Sequence, residues 1–250
     1  QETFAYCSSL KRVYFPAGLT QIGGRAFAEC TALTGIKIPE GILKIDTGAF
    51  YGCSSPQNVS FPSTLTTIES QAFKYTALST VVLPNSVSYL GSQAFGMCSN
   101  LTALKLSTSM TETGQYAFYD CDNLTHLTLP ANIKAISYCS FSGCSNLQYI
   151  HCLGEYPDIS HAAFTYSTEP TIIIYYNEGI DSWANRSGGN DYTLQIWDGP
   201  PDPDPVVPYF EESAITPPEK PAVPQHKDPQ GGSPGVVVPP PETPPAETPA

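Results

Sequence analysis

The stretch Gly91-Ser92-Gln93-Ala94-Phe95-Gly96-Met97-Cys98-Ser99-Asn100-Leu101-Thr102-Ala103-Leu104-Lys105-Leu106 decides the fold, because the chain repeats it. Its phenylalanine has counterparts at Phe4, Phe27, Phe50, Phe73, Phe118, Phe141 and Phe164, and successive members of the series lie 23, 23, 23, 22, 23, 23 and 23 residues apart. A fixed period of this length identifies a stacked repeat, in which each copy is one coil that buries its apolar side only against its neighbours. The lone spacing of 22 falls at Phe73-Lys74-Tyr75-Thr76-Ala77-Leu78, a copy that is one residue short and lacks cysteine.

Aligned, the copies read Leu-x-x-Ile-x-Leu-Pro, then x-x-Leu-x-x-Ile-Gly, then x-x-Ala-Phe-x-x-Cys-x-x-Leu. In the first segment apolar residues alternate, as at Ile36/Ile38, Leu104/Leu106, Leu127/Leu129 and Ile150/Cys152, which predicts a short strand with one buried face. Proline at 39, 62, 84 and 130 ends these strands where no further ladder donor is needed. The second segment carries a further apolar pair, such as Ile42/Ile45 or Leu65/Ile68, followed by Gly23, Gly91 or Gly114 in some copies and by Asp46, Glu69 or Ser137 in others. That mixture predicts a tight turn that prefers positive φ without demanding it. The third segment, Ala-Phe with Cys three residues on, predicts a single helical or 3₁₀ turn laid on the core. Stacking such coils gives a parallel sheet along one face and short turns along the other.

The last copy decays after Phe164, and Ile172–Tyr176 reads as its strand. Asn177–Asn185 then reads as a short amphipathic helix and Tyr192–Trp197 as a final strand, so residues 176–198 are expected to cap the solenoid that spans 1–175 in about seven coils, the N-terminal one incomplete. Residues 199–250 hold 17 of the 25 prolines and few aliphatic side chains, the composition of an extended or disordered spacer without a core.

The net charge of −12 divides equally between residues 1–198 and 199–250, and no Lys/Arg run interrupts it. Nucleic acid and anionic lipid are therefore not the expected partners. No run of 18 apolar residues predicts a membrane span in this segment. Gln1-Glu2-Thr3-Phe4 falls inside a repeat rather than a signal peptide, so neither an export signal nor an anchor is expected here and the sequence reads as a mature or trimmed piece.

The combination of these three segments at a 23-residue period over residues 2–175 resembles the BspA-like leucine-rich repeats of bacterial and some protozoan surface proteins. The resemblance implies a leucine-rich repeat solenoid that is secreted or attached to the cell surface, non-enzymatic and without cofactor. It also implies an adhesin-like role toward a host or microbial surface protein or a glycan. Two other readings remain beside it: a rigid spacer presenting another module of a longer surface protein, and a polysaccharide-active β-solenoid enzyme. The enzyme would need carboxylates clustered on one sheet face.

Among the eight cysteines, Cys7, Cys30, Cys53, Cys98, Cys121 and Cys144 occupy one repeat position and are expected as a column of buried free thiols, since parallel side chains in successive coils are poorly placed to bridge. Cys139 breaks the pattern and is the one candidate for a bridge, for example with Cys144. No C-x-x-C pair suggests zinc, and His126 with His151 lacks an evident third ligand. A solenoid usually binds through the outward residues of its concave sheet. Those that stand out are Arg12, Tyr14, Lys37, Lys105, His126, Tyr149 and His151, with Tyr149 expected directly beside His126. Thr, Tyr and His are also ordinary residues of a solvated strand face.

Overall fold

The computed structural model describes residues 2–167, 171–184 and 186–199, all within one compact unit. It is a parallel-strand solenoid of about seven turns with almost no helix. Residues 200–250, expected as a spacer, lie outside the described residues.

Each coil is too short to hold regular structure for long, so its strands are two to five residues each and gain strength from stacking alone. A first ladder runs through Ile36–Lys37, Val59–Ser60, Thr80–Val82, Ala103–Lys105, His126–Leu129, Tyr149–Cys152, Ile172–Tyr176 and Tyr192–Ile196, with the single bridge Asn58↔Thr80 joining its two parts. All pairings are parallel and in register, so equivalent repeat positions meet: Val81 faces Leu104, Leu127 faces Ile150, and Ile150 faces Ile174. A second parallel ladder, not expected from the sequence, forms at the other apolar pair. It pairs Gln21–Ile22, Lys44–Ile45, Thr67–Ile68 and Tyr89–Leu90, and separately Ala135–Ile136 with Asp158–Ile159. The coil thus carries ladders on two sides.

The third side departs from the predicted helical turn. Within one coil Ala49, Tyr51 and Cys53 donate N–H to the carbonyls of Asp46, Gly48 and Phe50, whereas the alternate residues Gly48, Phe50 and Gly52 donate to Ser70, Ala72 and Lys74 of the next coil. A helix would spend every N–H inside its own coil. This ribbon keeps every second one for the neighbour, so the turn face also holds the stack together. From Phe4 to Phe141 the geometry needs positive φ two residues before and two after the phenylalanine: Gly48 and Gly52 at 63° and 70°, but also Arg25, Glu29, Gln71, Tyr75, Gln93 and Met97 at 53–61°. Left-handed conformation at an L-residue is costly, about 1–2 kcal/mol. The positive-φ positions are therefore not those anticipated. Of the three glycines after the apolar pair only Gly114, at 77°, is left-handed, and Gly91 is instead required by close approach, since a Cβ there would collide with the backbone of Glu69 and Ser70.

One continuous core fills the coils. The phenylalanines stack face to face down its axis, with centroids 5.2–5.7 Å apart from Phe4 to Phe141 and 6.2 Å at the last step to Phe164, in the parallel offset geometry that aromatic rings favour. Beside them Cys30, Cys53, Cys98, Cys121 and Cys144 are buried free thiols, as expected, while Cys7 in the first coil is exposed. Each buried Sγ donates to the carbonyl of a phenylalanine in the preceding coil, at 3.1 Å for Cys53 to Phe27 and 3.3 Å for Cys121 to Phe95. The column is therefore a hydrogen-bonded seam as well as packing. In the last coil, where cysteine is missing, Ser167 Oγ takes over and donates to Phe141 at 2.9 Å; in the short copy Thr76 Oγ1 donates to the Phe73 carbonyl of its own coil at 2.8 Å and lies 3.2 Å from Cys98 Sγ. Cys139 is also free and buried.

At the C-terminal end the expected amphipathic helix is reduced to the 3₁₀ turn Asp181–Trp183. Trp183 is buried there, stacked on Tyr176 at 4.7 Å, and its indole N–H donates to the Gly154 carbonyl at 2.9 Å. That anchor leads the chain into Tyr192–Ile196, which adds a last parallel strand beside Ile172–Tyr176.

Candidate binding face

Strand alternation sorts the first ladder into inward and outward residues. Because the ladder is in register, the outward residues form two rows across the coils. One row reads Asn58, Thr80, Ala103, His126, Tyr149 and Ile173; the other reads Lys37, Ser60, Val82, Lys105, Thr128, His151 and Tyr175. Neither row contains a carboxylate. Arg12 and Tyr14, in the preceding coil where no strand forms, are exposed, as is Lys37. The seven residues singled out from the sequence therefore do not converge on one site: Arg12, Tyr14 and Lys37 lie near the N-terminal end of the solenoid, and Lys105, His126, Tyr149 and His151 lie in three consecutive coils.

The aromatic part of the face is ordered. Tyr149 pairs with His126 across the strands, their rings 5.1 Å apart and within 15° of parallel. Thr125 Oγ1 lies 3.0 Å from His126 Nδ1, which fixes the rotation of the imidazole. His151 behaves otherwise than expected: it is only 4% exposed. The Trp197 indole lies over it at 4.6 Å, and His151 Nε2 donates to Asn177 Oδ1 at 3.1 Å. Trp197 also stacks toward Tyr149 at 6.2 Å and meets the ring of Tyr175 edge-on at 4.9 Å. A partner approaching this end therefore meets Trp197, Tyr175 and Tyr149, with His151 beneath them. Tyr175 was legible from alternation, two residues beyond the outward Ile173. Trp197 was not, since its ring reaches across a neighbouring strand.

A second aromatic band, on the turn face, has no counterpart in the sequence reading. Arg25 lies over the ring of Tyr51 at 5.6 Å, Tyr51 meets Tyr75 at 5.5 Å, and Lys74 lies between Tyr75 and Tyr119 at 5.0 and 5.7 Å. These side chains occupy variable positions around the phenylalanine in separate coils, so each looks like an isolated surface residue until the coils stack.

No group of three or more His, Cys, Asp or Glu among the described residues is arranged to hold a metal ion. Burial pushes the column thiols up, to about 12 for Cys53 and Cys144 and about 11 for Cys98, leaving them neutral and poorly nucleophilic at physiological pH. No helix among the described residues is long and apolar enough to cross a membrane.

The family description "BspA type Leucine rich repeat region" matches in six copies, over residues 1–96 and 66–186. The chain belongs to the BspA-type leucine-rich repeat family. No curated protein matches the sequence. Among solved structures, the BspA-type chain is similar to the leucine-rich repeat protein TpLRR of T. pallidum, with 30% identity and a TM-score of 0.55, over 58% of this chain and 69% of that one. A leucine-rich cell surface protein of Faecalibacterium prausnitzii is similar at 21% identity and a TM-score of 0.35, covering 73% and 70% of the two chains. The pneumococcal vaccine antigen PcpA is similar at 16% identity and a TM-score of 0.41, covering 76% and 69%. The BspA-type repeat accounts for the inward residues.

Proposed function

We propose that this protein is a non-enzymatic binding module, secreted or held at a cell surface, that recognises a protein or glycan through the outward rows of its first ladder. The observation that carries this reading is the one-sidedness of that face. Its outward positions are mainly polar, basic or aromatic, with Ala103, Val82 and Ile173 among them, and include no Asp or Glu, although residues 1–198 carry 15 acidic residues against 9 basic ones. All 15 of those acidic residues lie off the two rows. A face without them that ends in Trp197 stacked toward Tyr149 and edge-on to Tyr175 has the composition of a recognition surface. The same absence weighs against a glycosidase or lyase reading, whose chemistry calls for carboxylates on the face that meets the sugar.

The test is a binding screen of the full chain against extracellular matrix proteins and glycans, repeated with Lys37→Glu, Lys105→Glu and Tyr149→Ala on the ladder face and Tyr75→Ala on the turn face. Binding that falls at least tenfold in the ladder variants and persists in Tyr75→Ala supports the assignment. The opposite pattern moves recognition to the turn-face aromatic band and refutes it. Absence of any ligand in the screen leaves the rigid-spacer role as the better account.

A further inference from the structure

Within the face just proposed, and resting on that reading, we infer a specific subsite at Ala103, His126 and Lys105 that takes a pyranose ring bearing a carboxylate, that is, a uronic acid unit of a glycan. The argument begins with the His126 imidazole. Tyr149 covers one of its faces at 5.1 Å, nearly parallel, and Thr125 holds Nδ1 at 3.0 Å. The ring is thereby fixed upright on the strand with its other face turned toward the preceding coil. The pairing Lys105↔Thr128 sets the register on that side, so the residue beside His126 is Ala103, and the one beyond it is Thr80, which pairs with Ala103. Ala103 ends at its Cβ. The row therefore steps down from a pinned aromatic wall to a short floor of Ala103 and Thr80, neither of which is fully buried.

A step of this kind fits a flat ring about as thick as the missing member of the stack. The apolar C–H face of a pyranose packs against an aromatic face, while its hydroxyls keep their contact with water, as an open surface site requires. Tyr149 and Thr125 hold the wall in place beforehand, so little ordering is left to be done on binding. The charge is set by the second row. Lys105 projects from the same strand two residues beyond Ala103, about 7 Å along it at the rise of an extended chain. An ammonium has three donors and can take a carboxylate alongside any neighbour it already holds. No acidic residue occupies either outward row to repel that carboxylate. The turn-face band offers nothing comparable, because Lys74 is enclosed there by Tyr75 and Tyr119 and hydrogen-bonded to Gln93.

The probe is an oligosaccharide of alternating glucuronic acid and N-acetylglucosamine, set against the same oligosaccharide with its carboxyls reduced to alcohols. Affinity for the full chain is measured by saturation-transfer NMR and calorimetry. The acidic form is expected to bind at least tenfold more tightly than the reduced form, with affinity falling as salt rises. Ala103→Leu, which fills the step without touching the core, and His126→Ala are each expected to lower the affinity at least tenfold, and Lys105→Gln to abolish the preference for the acidic form. Circular dichroism and the unfolding midpoint of Ala103→Leu should match the parent, separating loss of the step from loss of the fold. Equal affinity for the two oligosaccharides, no detectable binding of either, or binding unchanged in Ala103→Leu overturns the subsite. A protein ligand whose affinity falls in Lys37→Glu but not in Ala103→Leu, together with no affinity for the acidic oligosaccharide, would keep the ladder-face reading and discard this subsite. A proline-aspartate peptide that binds the step more tightly than the acidic oligosaccharide would discard the uronate assignment.

Discussion

Phe95→Ala removes the ring at the middle of the aromatic stack. Phe95 is fully buried, with Phe73 on one face at 5.2 Å, Phe118 on the other at 5.7 Å and Phe61 edge-on at 6.4 Å. Truncating a buried phenylalanine costs about 3–5 kcal/mol. Loss of stacking on both faces places this one at the upper end, since such pairs contribute roughly 0.5–1.5 kcal/mol each beyond the area they bury. Phe4 provides the comparison. It is 46% exposed and stacks on Phe27 alone at 5.5 Å, so Phe4→Ala should cost only about 1–2 kcal/mol. In a solenoid stability is a sum over coils and their interfaces. A loss of about 5 kcal/mol at a central interface is comparable to the whole stability of an ordinary domain, about 5–15 kcal/mol. Phe95→Ala should therefore split unfolding into two transitions, each with a smaller urea dependence than the parent, while Phe4→Ala lowers the midpoint of a single one. Urea titration of the full chain at 25 °C, followed by circular dichroism and tyrosine fluorescence, measures both. If Phe95→Ala costs no more than Phe4→Ala, the ring stack is not what couples the coils, and the ribbon and ladder hydrogen bonds must do so alone. Phe95→Leu, which keeps most of the volume, should lie between the two.

Thiol labelling of the native protein at pH 8 should modify Cys7 and leave Cys30, Cys53, Cys98, Cys121 and Cys144 unmodified until urea opens the coils; rapid labelling of the buried five would contradict their place in the seam. The same thiols predict a loss of stability in alkali. Burial raises the folded pKa of Cys53 and Cys144 to about 12 and of Cys98 to about 11, above the reference value of 9.0, so the folded state holds protons that the unfolded chain releases. The contribution is complete below about pH 9 and is lost as pH rises from there through the folded values, which a series of urea midpoints between pH 8 and pH 11 should follow, and Cys98→Val should make the slope shallower by one thiol's share. Gln71→Gly relieves the left-handed backbone at 58° and should raise stability by up to about 1 kcal/mol, with a slightly higher Tm, because the greater freedom of glycine in the unfolded chain offsets part of the gain. Gly48→Ala, at 63°, should lower Tm by a similar amount, and an unchanged Tm in both would show that the turn relaxes to accommodate either residue. Trp197→Ala should expose His151, detected as a change in its imidazole NMR shifts and faster solvent exchange of its ring proton, with little effect on the first coils.

Stacking, the strand face and the framework were all legible in the residues. The regular spacing of phenylalanine located the coils, the alternation at Leu104/Leu106 and Leu127/Leu129 gave the inward face, and the common position of six cysteines predicted a column of buried free thiols that holds for all but Cys7, exposed in the first coil. These features follow from local chemistry repeated at a fixed interval, and each copy confirms the others. Three things were decided elsewhere. The turn around each Ala-Phe is a ribbon punctuated by left-handed residues and not a helix, because Phe50 and Gly52 give their N–H groups to the next coil, and no single copy contains the acceptor. His151 occupies an outward position of its strand yet is buried, because Trp197, 46 residues later, folds its indole across it. The step beside His126 exists only where Ala103 of one coil meets a pinned imidazole of the next. The sequence by itself determined what each coil presents inward, since an apolar periodicity has one stable way to be buried. Only the tertiary structure decided which outward residues meet, since that depends on register between coils and on side chains that reach over their neighbours.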